Sequence, residues 1–358
     1  MTDLLRLPAE TIHAAELVAL AAADDGPRPA GWSLSPRSVV TYIMGGSANG
    51  TPIAPKYVGD RRLIETAVAT LATDRALLLL GVPGTAKSWV SEHLAAAISG
   101  DSGLVIQCTA GTDENQIRYG WNYAQLLAHG PSRDALVPTP LMRAMESGKL
   151  CRMEELTRMG SDVQDTLITV LSEKMMPVPE LNTAVNARRG FNLIATANHR
   201  DKGVNELSSA LKRRFNVVVL PLPADLEEEI AIVTRRVGEM AAGLDLPAPK
   251  NVAEEVARVV AIFRELRNGQ TRDGKVSLKT PSGSLSTAEA IAVMVGGLSH
   301  AAYFNGGTLS AEGVAPNMIG AIVKDPVQDK VVFEEYLETV MKKRPDYADY
   351  YAALAGLV

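Results

Sequence analysis

Cysteine, basic excess and long apolar runs are all scarce in this 358-residue chain. Cys108 and Cys151 are the only two cysteines, and both fall in apolar, strand-like runs. That argues against a disulfide framework or a Cys-x-x-Cys metal site and points to reduced core thiols. The five histidines, His13, His93, His129, His199 and His300, are scattered without metal-ligand spacing, and no nucleophile elbow stands out. A formal charge of -5 argues against wholesale coating of a polyanion, although a local basic channel would not show in the total. No segment reaches the roughly 18 uncharged apolar residues of a membrane span. The start, MTDLLRLPAETIHAAELVAL, carries acids where a leader would be basic. The expected location is the cytoplasm, with no membrane partner.

What is present suits a globular protein. Hydrophobic residues make up 46% and charged residues 22%, which is ample for a core. A prior of roughly 150 residues per domain gives about two domains. Residues 9–23 read as a helix, and DGPRPAGWSLSP and GGSANGTPIAP as connectors. From Tyr57 the texture changes. RRLIETAVATLA is helical, and RALLLLGV, LVIQCTA, KLCRMEEL, FNLIATAN and NVVVLPLP are short apolar runs without strict alternation. Strands buried on both faces of a parallel sheet read this way. SWVSEHLAAAI and VQDTLITVLSEK supply intervening helices. The order predicts an α/β fold, a parallel sheet sandwiched between helices, with ligands at the carboxyl ends of the strands. After Pro223 the pattern is helical, in DLEEEIAIVTRRVGEMAAG, VAEEVARVVAIFRELRN, TAEAIAVMVGGLSHAAYF and KVVFEEYLETVMKKR.

GVPGTAKS, Gly81 to Ser88, follows one strand and opens a helix. A glycine-rich turn there aims backbone N–H groups at a phosphate, and the helix N-terminus adds favourable partial charge. Lys87 would reach the β- and γ-phosphates of ATP, and the Ser88 hydroxyl would hold Mg²⁺. The usual pattern has a second glycine where this chain has Ala86. Gly84 supplies the permissive backbone, and Ala86 is expected in the first turn of the helix at negative φ. LCRMEELTR then ends a strand with two adjacent carboxylates. Glu154 is the candidate for the metal and Glu155 for the base that orients water. Consecutive strand residues point to opposite sides, which lets neighbours divide these tasks. Asn198, at the end of FNLIATAN, is placed to hold water against the γ-phosphate; His199 beside it reads as polar background. In LSSALKRRFNVVVL, Arg214 is the candidate to act on a neighbouring subunit's γ-phosphate, with Arg213 as the alternative.

The ordered series GVPGTAKS, LCRMEELTR, VQDTLITVLSEK, LIATAN and ALKRRF resembles the AAA+ ATPases, and within them the MoxR branch. The resemblance implies a P-loop domain with a parallel five-stranded sheet over residues 56–222. Before it, residues 1–55 would be a helical extension and linker. After it, residues 223–358 would form an α-helical lid and C-terminal helices. It implies nucleotide contacts from Tyr57, Val58, Gly81, Val82, Pro83, Gly84, Thr85, Ala86, Lys87, Ser88 and Trp89. GTDENQIRYGWNYAQLLAHGPSRDALVPTPLMRAME resembles the branch's helix insert, and MMPVPELNTAVNARRG its hairpin before the sensor strand. Such proteins form hexameric rings with both insertions near the pore, where Trp121 and Tyr123 would grip a partner. Two positions depart from the family. Glu154 stands where aspartate is usual, and its extra methylene is expected to be tolerated, the carboxylate acting through a bound water. Ala288 stands where a lid arginine is common, followed by Glu289, as in relatives paired with von Willebrand A-domain proteins. Three functions follow as expectations: a hexameric ATPase remodelling a client protein, a slow nucleotide-gated scaffold, and, disfavoured by the acidic balance, a nucleic-acid translocase subunit.

Overall fold

A computed structural model describes residues 5–198, 205–247, 249 and 251–357. The chain divides into two compact units, Met1–Val82 with Ala86–Pro221, and Pro83–Thr85 with Leu222–Val358.

The first unit opens with helices Ala9–Ile12 and Ala14–Ala23, where one continuous helix was expected; His13, at φ -105°, separates them. Between the two expected connectors lies a third helix, Pro36–Met44. Ser35 caps it by accepting from the Ser38 N–H, and Pro36 occupies the first turn, where no N–H is needed. The second connector is itself a hairpin of β1 (Gly46–Ala48) and β2 (Thr51–Ile53). Asn49 and Gly50 turn it at positive φ, the geometry an Asn-Gly pair favours.

Helix Arg61–Leu71, capped by Asp60, leads into β3 (Ala76–Gly81), and helix Lys87–Ser99 follows. Next comes β4 (Val105–Gln107). The insertion carries helix Glu114–Ile117, β5 (Tyr119–Trp121), helix Tyr123–His129 and β6 (Leu136–Pro138), with β5 and β6 antiparallel. Helix Pro140–Ser147 returns the chain to β7 (Leu150–Glu154). Helices Ser161–Asp165 and Leu167–Glu173 precede a hairpin of β8 (Met175–Val178) and β9 (Thr183–Asn186). The chain then runs through β10 (Asn192–Asn198), helix Ser209–Lys212 and β11 (Phe215–Val219). β11, β3, β10, β7 and β4 pair in that order, all parallel, as one five-stranded sheet.

Strand alternation divides the core. Leu77, Leu79, Leu150, Ile194 and Val218 pack into one cluster with residues of helix Lys87–Ser99. Ala76, Leu78, Cys151, Met153, Leu193 and Ala195 join the opposite cluster. The segment before residue 56, expected as an extension and linker, places Leu20, Trp32, Leu34, Val39, Tyr42 and Ile43 in the first of these cores. Gly31, Gly148 and Gly190 bring three separate loops to backbone contact. A Cβ on Gly31 would sit 2.7 Å from the Arg189 carbonyl oxygen, and all three glycines have positive φ.

The second unit is helical among its described residues, apart from one bridge between Gln270 and Ser277. Its helices are Leu226–Gly243, Val252–Asn268, Thr287–Phe304, Ala311–Ile322, Gln328–Thr339 and Ala348–Ala355. Val233, Phe263, Met294, Leu298, Met318 and Phe333 lie at its centre. Buried glutamates pin the helices together, and each has a cationic partner, as burial of a charge demands. Glu229 takes Arg264, Arg267 and the Thr287 hydroxyl. Glu265 takes a two-pronged contact from Arg344 and the Tyr336 hydroxyl. Among the described residues no helix is long and apolar enough to cross a membrane.

Candidate nucleotide site

β3 ends at Gly81 and the next helix begins at Lys87, so GVPGTA must reverse direction between them. Gly84 does so at φ +82°, as expected. Ala86 does not behave as expected. It is the residue before the helix, at φ +62° and ψ +20°, in the left-handed region. An alanine there costs about 1–2 kcal/mol against its ordinary conformation, and the missing glycine is the residue that would have relieved this strain. The Lys87 ammonium donates to the carbonyls of Gly81 (3.0 Å) and Val82 (2.8 Å).

β7 presents Leu150, Arg152 and Glu154 on the side of helix Lys87–Ser99. Glu154 is only 5% exposed, and both its oxygens are engaged. Ser88 Oγ and Thr196 Oγ1 donate to Oε2 at 2.6 and 2.7 Å. Ser91 Oγ and Arg152 Nη2 donate to Oε1 at 2.6 and 2.9 Å. Burial pulls the carboxyl pKa upward, but bonds from Ser88 and Ser91, the charge of Arg152 and the Thr196 bond outweigh it and hold it below the usual range. Glu154 thus bridges two sets of donors, Ser88 and Thr196 on one oxygen and Ser91 and Arg152 on the other.

Glu155 breaks the expected alternation. The strand stops at Glu154, and Glu155 turns into the left-handed region at φ +57°, starting the 3-10 turn Leu156–Arg158. Its direction is set by that turn, and its carboxylate pairs with Arg158 Nε at 2.5 Å. Its N–H donates to Thr196 Oγ1, so one threonine touches both glutamates. Asn198 is the last residue of β10, level with Gly81 of β3. His199 lies outside the described residues.

Arg214 immediately precedes β11. Its guanidinium donates to the Ala210 carbonyl at 2.6 Å and to the Ser172 hydroxyl. Arg213 is exposed, and its carbonyl accepts from Arg75. Tyr57 is buried with its N–H on the Ile43 carbonyl, and Val58 follows it half-buried. Trp89 packs edge-on against His93, ring centres 4.3 Å apart. Trp121 packs edge-on against Tyr119, whereas Tyr123 is 70% exposed and Leu127, on the same helix, 88%. Glu289 closes a capping box with Ser286, accepting its N–H at 2.8 Å, which gives this residue a helix-capping role. Burial raises both thiols, that of Cys108 to about 12, with Glu154 and Glu155 adding to the shift, so they stay protonated.

Sequence reasoning missed Ser91, Arg152 and Thr196. Ser91 stands one helical turn after Ser88, and an arginine inside an apolar strand run two residues before the carboxylate was a readable signal. The site offers a loop for phosphate, a lysine, and a hydroxyl beside a carboxylate. Such an oxygen pair fits Mg²⁺, a hard cation that keeps several waters and takes few protein ligands.

Residues 76–215 match the AAA domain of the dynein-related subfamily, and residues 227–351 match the YehL-like AAA+ ATPase C-terminal domain. The chain is 42% identical to the Escherichia coli K12 protein YehL over 98% of its own length and 97% of that protein's. It belongs to the YehL family of AAA+ ATPases. Bacillus subtilis YojN is 26% identical over 48% of this chain, which spans 59% of YojN. The fold is shared with NtrX from Brucella abortus at a TM-score of 0.50 and 12% identity, over 83% of this chain and 62% of that one.

Proposed function

We propose that the chain hydrolyses ATP with Mg²⁺ in a cytoplasmic hexameric ring, and that hydrolysis drives remodelling or assembly of a client protein, a von Willebrand A-domain protein being the candidate partner. The observation that carries the catalytic part is the meeting of Ser88 and Glu154 at the foot of a glycine-bearing phosphate loop. Bound between Ser88, Glu154 and the phosphates, Mg²⁺ would offset charge on the β- and γ-oxygens. The loop N–H groups and Lys87 hold the triphosphate. Glu155 takes a proton from the attacking water, Asn198 orients that water, and Arg214 of one subunit stabilises charge on the γ-phosphate held by the next. Support for the ring and the client is the family resemblance, joined by the exposed Tyr123 and Leu127 on a helix with no buried residue.

The Glu155–Arg158 ion pair favours a second reading, slow turnover with ATP chiefly holding the ring together. The acidic balance disfavours a nucleic-acid partner. The test is binding of a fluorescent ATP analogue, followed by phosphate release with and without candidate clients. Lys87→Ala should abolish binding, and unchanged affinity would sink the assignment. Client-stimulated release supports the motor. Release near background with ATP-dependent assembly supports the scaffold.

A further inference from the structure

Arg152 has no place in the chemistry above, yet it is buried. Alternation along β7 puts it on the same face as Glu154. All its nitrogens are used. Nε donates to Ser91 Oγ (3.1 Å), Nη1 to the Ser102 carbonyl (3.0 Å), and Nη2 to the Ser88 carbonyl (3.2 Å) and Glu154 Oε1 (2.9 Å). An apolar side chain of similar volume would fill this space at less cost than a desolvated cation. What an apolar residue cannot do is hold both residues of the magnesium site, Ser88 by its main-chain carbonyl and Glu154 by its carboxylate.

We propose that Arg152, with Ser91, is the positioning residue that fixes how the Glu154 carboxylate is presented to magnesium. The inference rests on Ser88 and Glu154 being the magnesium residues. Arg152 and Ser91 hold Oε1, which fixes the rotation of the carboxylate. Oε2 is thereby left facing Ser88 Oγ and Thr196 Oγ1. An aspartate, shorter by about 1.5 Å, would have to give up one of these two sets of partners. Side chains that orient a metal's ligands typically change metal affinity 10–100-fold when removed.

The experiment is a magnesium titration of fluorescent ATP-analogue binding, with thermal unfolding of the metal-free protein measured beside it. Arg152→Met should raise the magnesium concentration for half-maximal binding about tenfold or more. Arg152→Lys, which keeps the charge but not the fork, should recover much of this. Ser91→Ala should shift the midpoint the same way by about threefold, and it keeps the test decisive if Arg152→Met does not fold. In a Glu154→Gln background, Arg152→Met should move the midpoint no further. A merely structural arginine would lower the melting temperature and leave the magnesium midpoint in place. If Glu154→Gln moves the midpoint while the Arg152 and Ser91 variants leave it unchanged, the positioning role is overturned and the magnesium assignment stands. If Glu154→Gln does not move it either, the magnesium assignment itself falls, and the inference with it.

Discussion

The Ser88 hydroxyl lies 2.6 Å from Glu154 Oε2, tying the first turn of the loop helix to the last residue of a strand 66 positions later in sequence. Because the glutamate spans two sets of partners, Glu154→Asp should not be neutral. It should need severalfold more magnesium for the same rate of phosphate release, as expected when an orienting contact is lost. Equal or faster release at equal magnesium would show that the longer side chain is only tolerated.

Glu155→Gln should bind ATP like the unaltered chain and release phosphate at least about a hundredfold more slowly, since an amide cannot accept the water's proton. Arg158→Ala frees the same carboxylate from its ion pair. Its release rate should rise a few-fold if that pair restrains the base, and stay constant if it does not.

Ala86 sits at φ +62°. Ala86→Gly should raise unfolding stability by about 0.5–1 kcal/mol, the relief of left-handed strain less the glycine's extra freedom when unfolded. Ala86→Val should do the reverse, by more, because a β-branched residue tolerates positive φ least. Denaturant midpoints measured without nucleotide decide both.

Arg214 makes its described contacts with Ser172 and Ala210 of its own chain. If it acts across subunits, Arg214→Ala should bind ATP without hydrolysing it and regain turnover when mixed with Glu155→Gln chains. Mixed rings then contain interfaces where an intact arginine meets an intact base. Mixed rings that form but stay inactive would count against action in trans.

Acid should loosen the helical unit early. Burial raises the Glu229 carboxyl, but the bonds and charge of Arg267, with Thr287 and Arg264, prevail and hold it low. Burial likewise opposes Asp329, and N–H donors from Asp325, Ser282 and Lys324 with the Ser282 hydroxyl prevail. A carboxyl whose folded pKa is depressed adds stability above its unfolded value, and that stability is lost as pH falls through the folded one. Denaturant midpoints should therefore drop from about pH 5 downward. Glu229→Gln should be less stable at pH 7 and show a flatter slope below pH 5; an unchanged slope would remove Glu229 from this account.

The five strands and the long helices were legible because burial on both faces of a parallel sheet, and helical spacing after Pro223, leave strong patterns. Helix Ala311–Ile322 escaped because Pro316 stands in its interior, where a proline gives up an i→i−4 hydrogen bond and normally marks a helix end. The β1–β2 hairpin was readable from Asn49-Gly50 and was passed over as a connector. In the site, residue types announced the loop and the two carboxylates. Backbone sign did not follow from type: Ala86 and Glu155 both adopt conformations their side chains disfavour, imposed by what flanks them. Nor did the arginine's partners, because Ser91, Ser102 and Glu154 converge only once strand and helix are packed.

The shared core beneath the sheet makes the N-terminal arm a lid on grease. A chain begun at Tyr57 would lack Trp32, Leu34, Val39, Tyr42 and Ile43, baring much of the surface they cover around Leu77, Leu79 and Leu94. Each large side chain so uncovered forfeits roughly 1.5–3 kcal/mol of burial. Several together would rival the whole stability of an ordinary domain. The loss would surface as clumping during purification, well before any assay of the nucleotide site, and would be mistaken for a defect in that site.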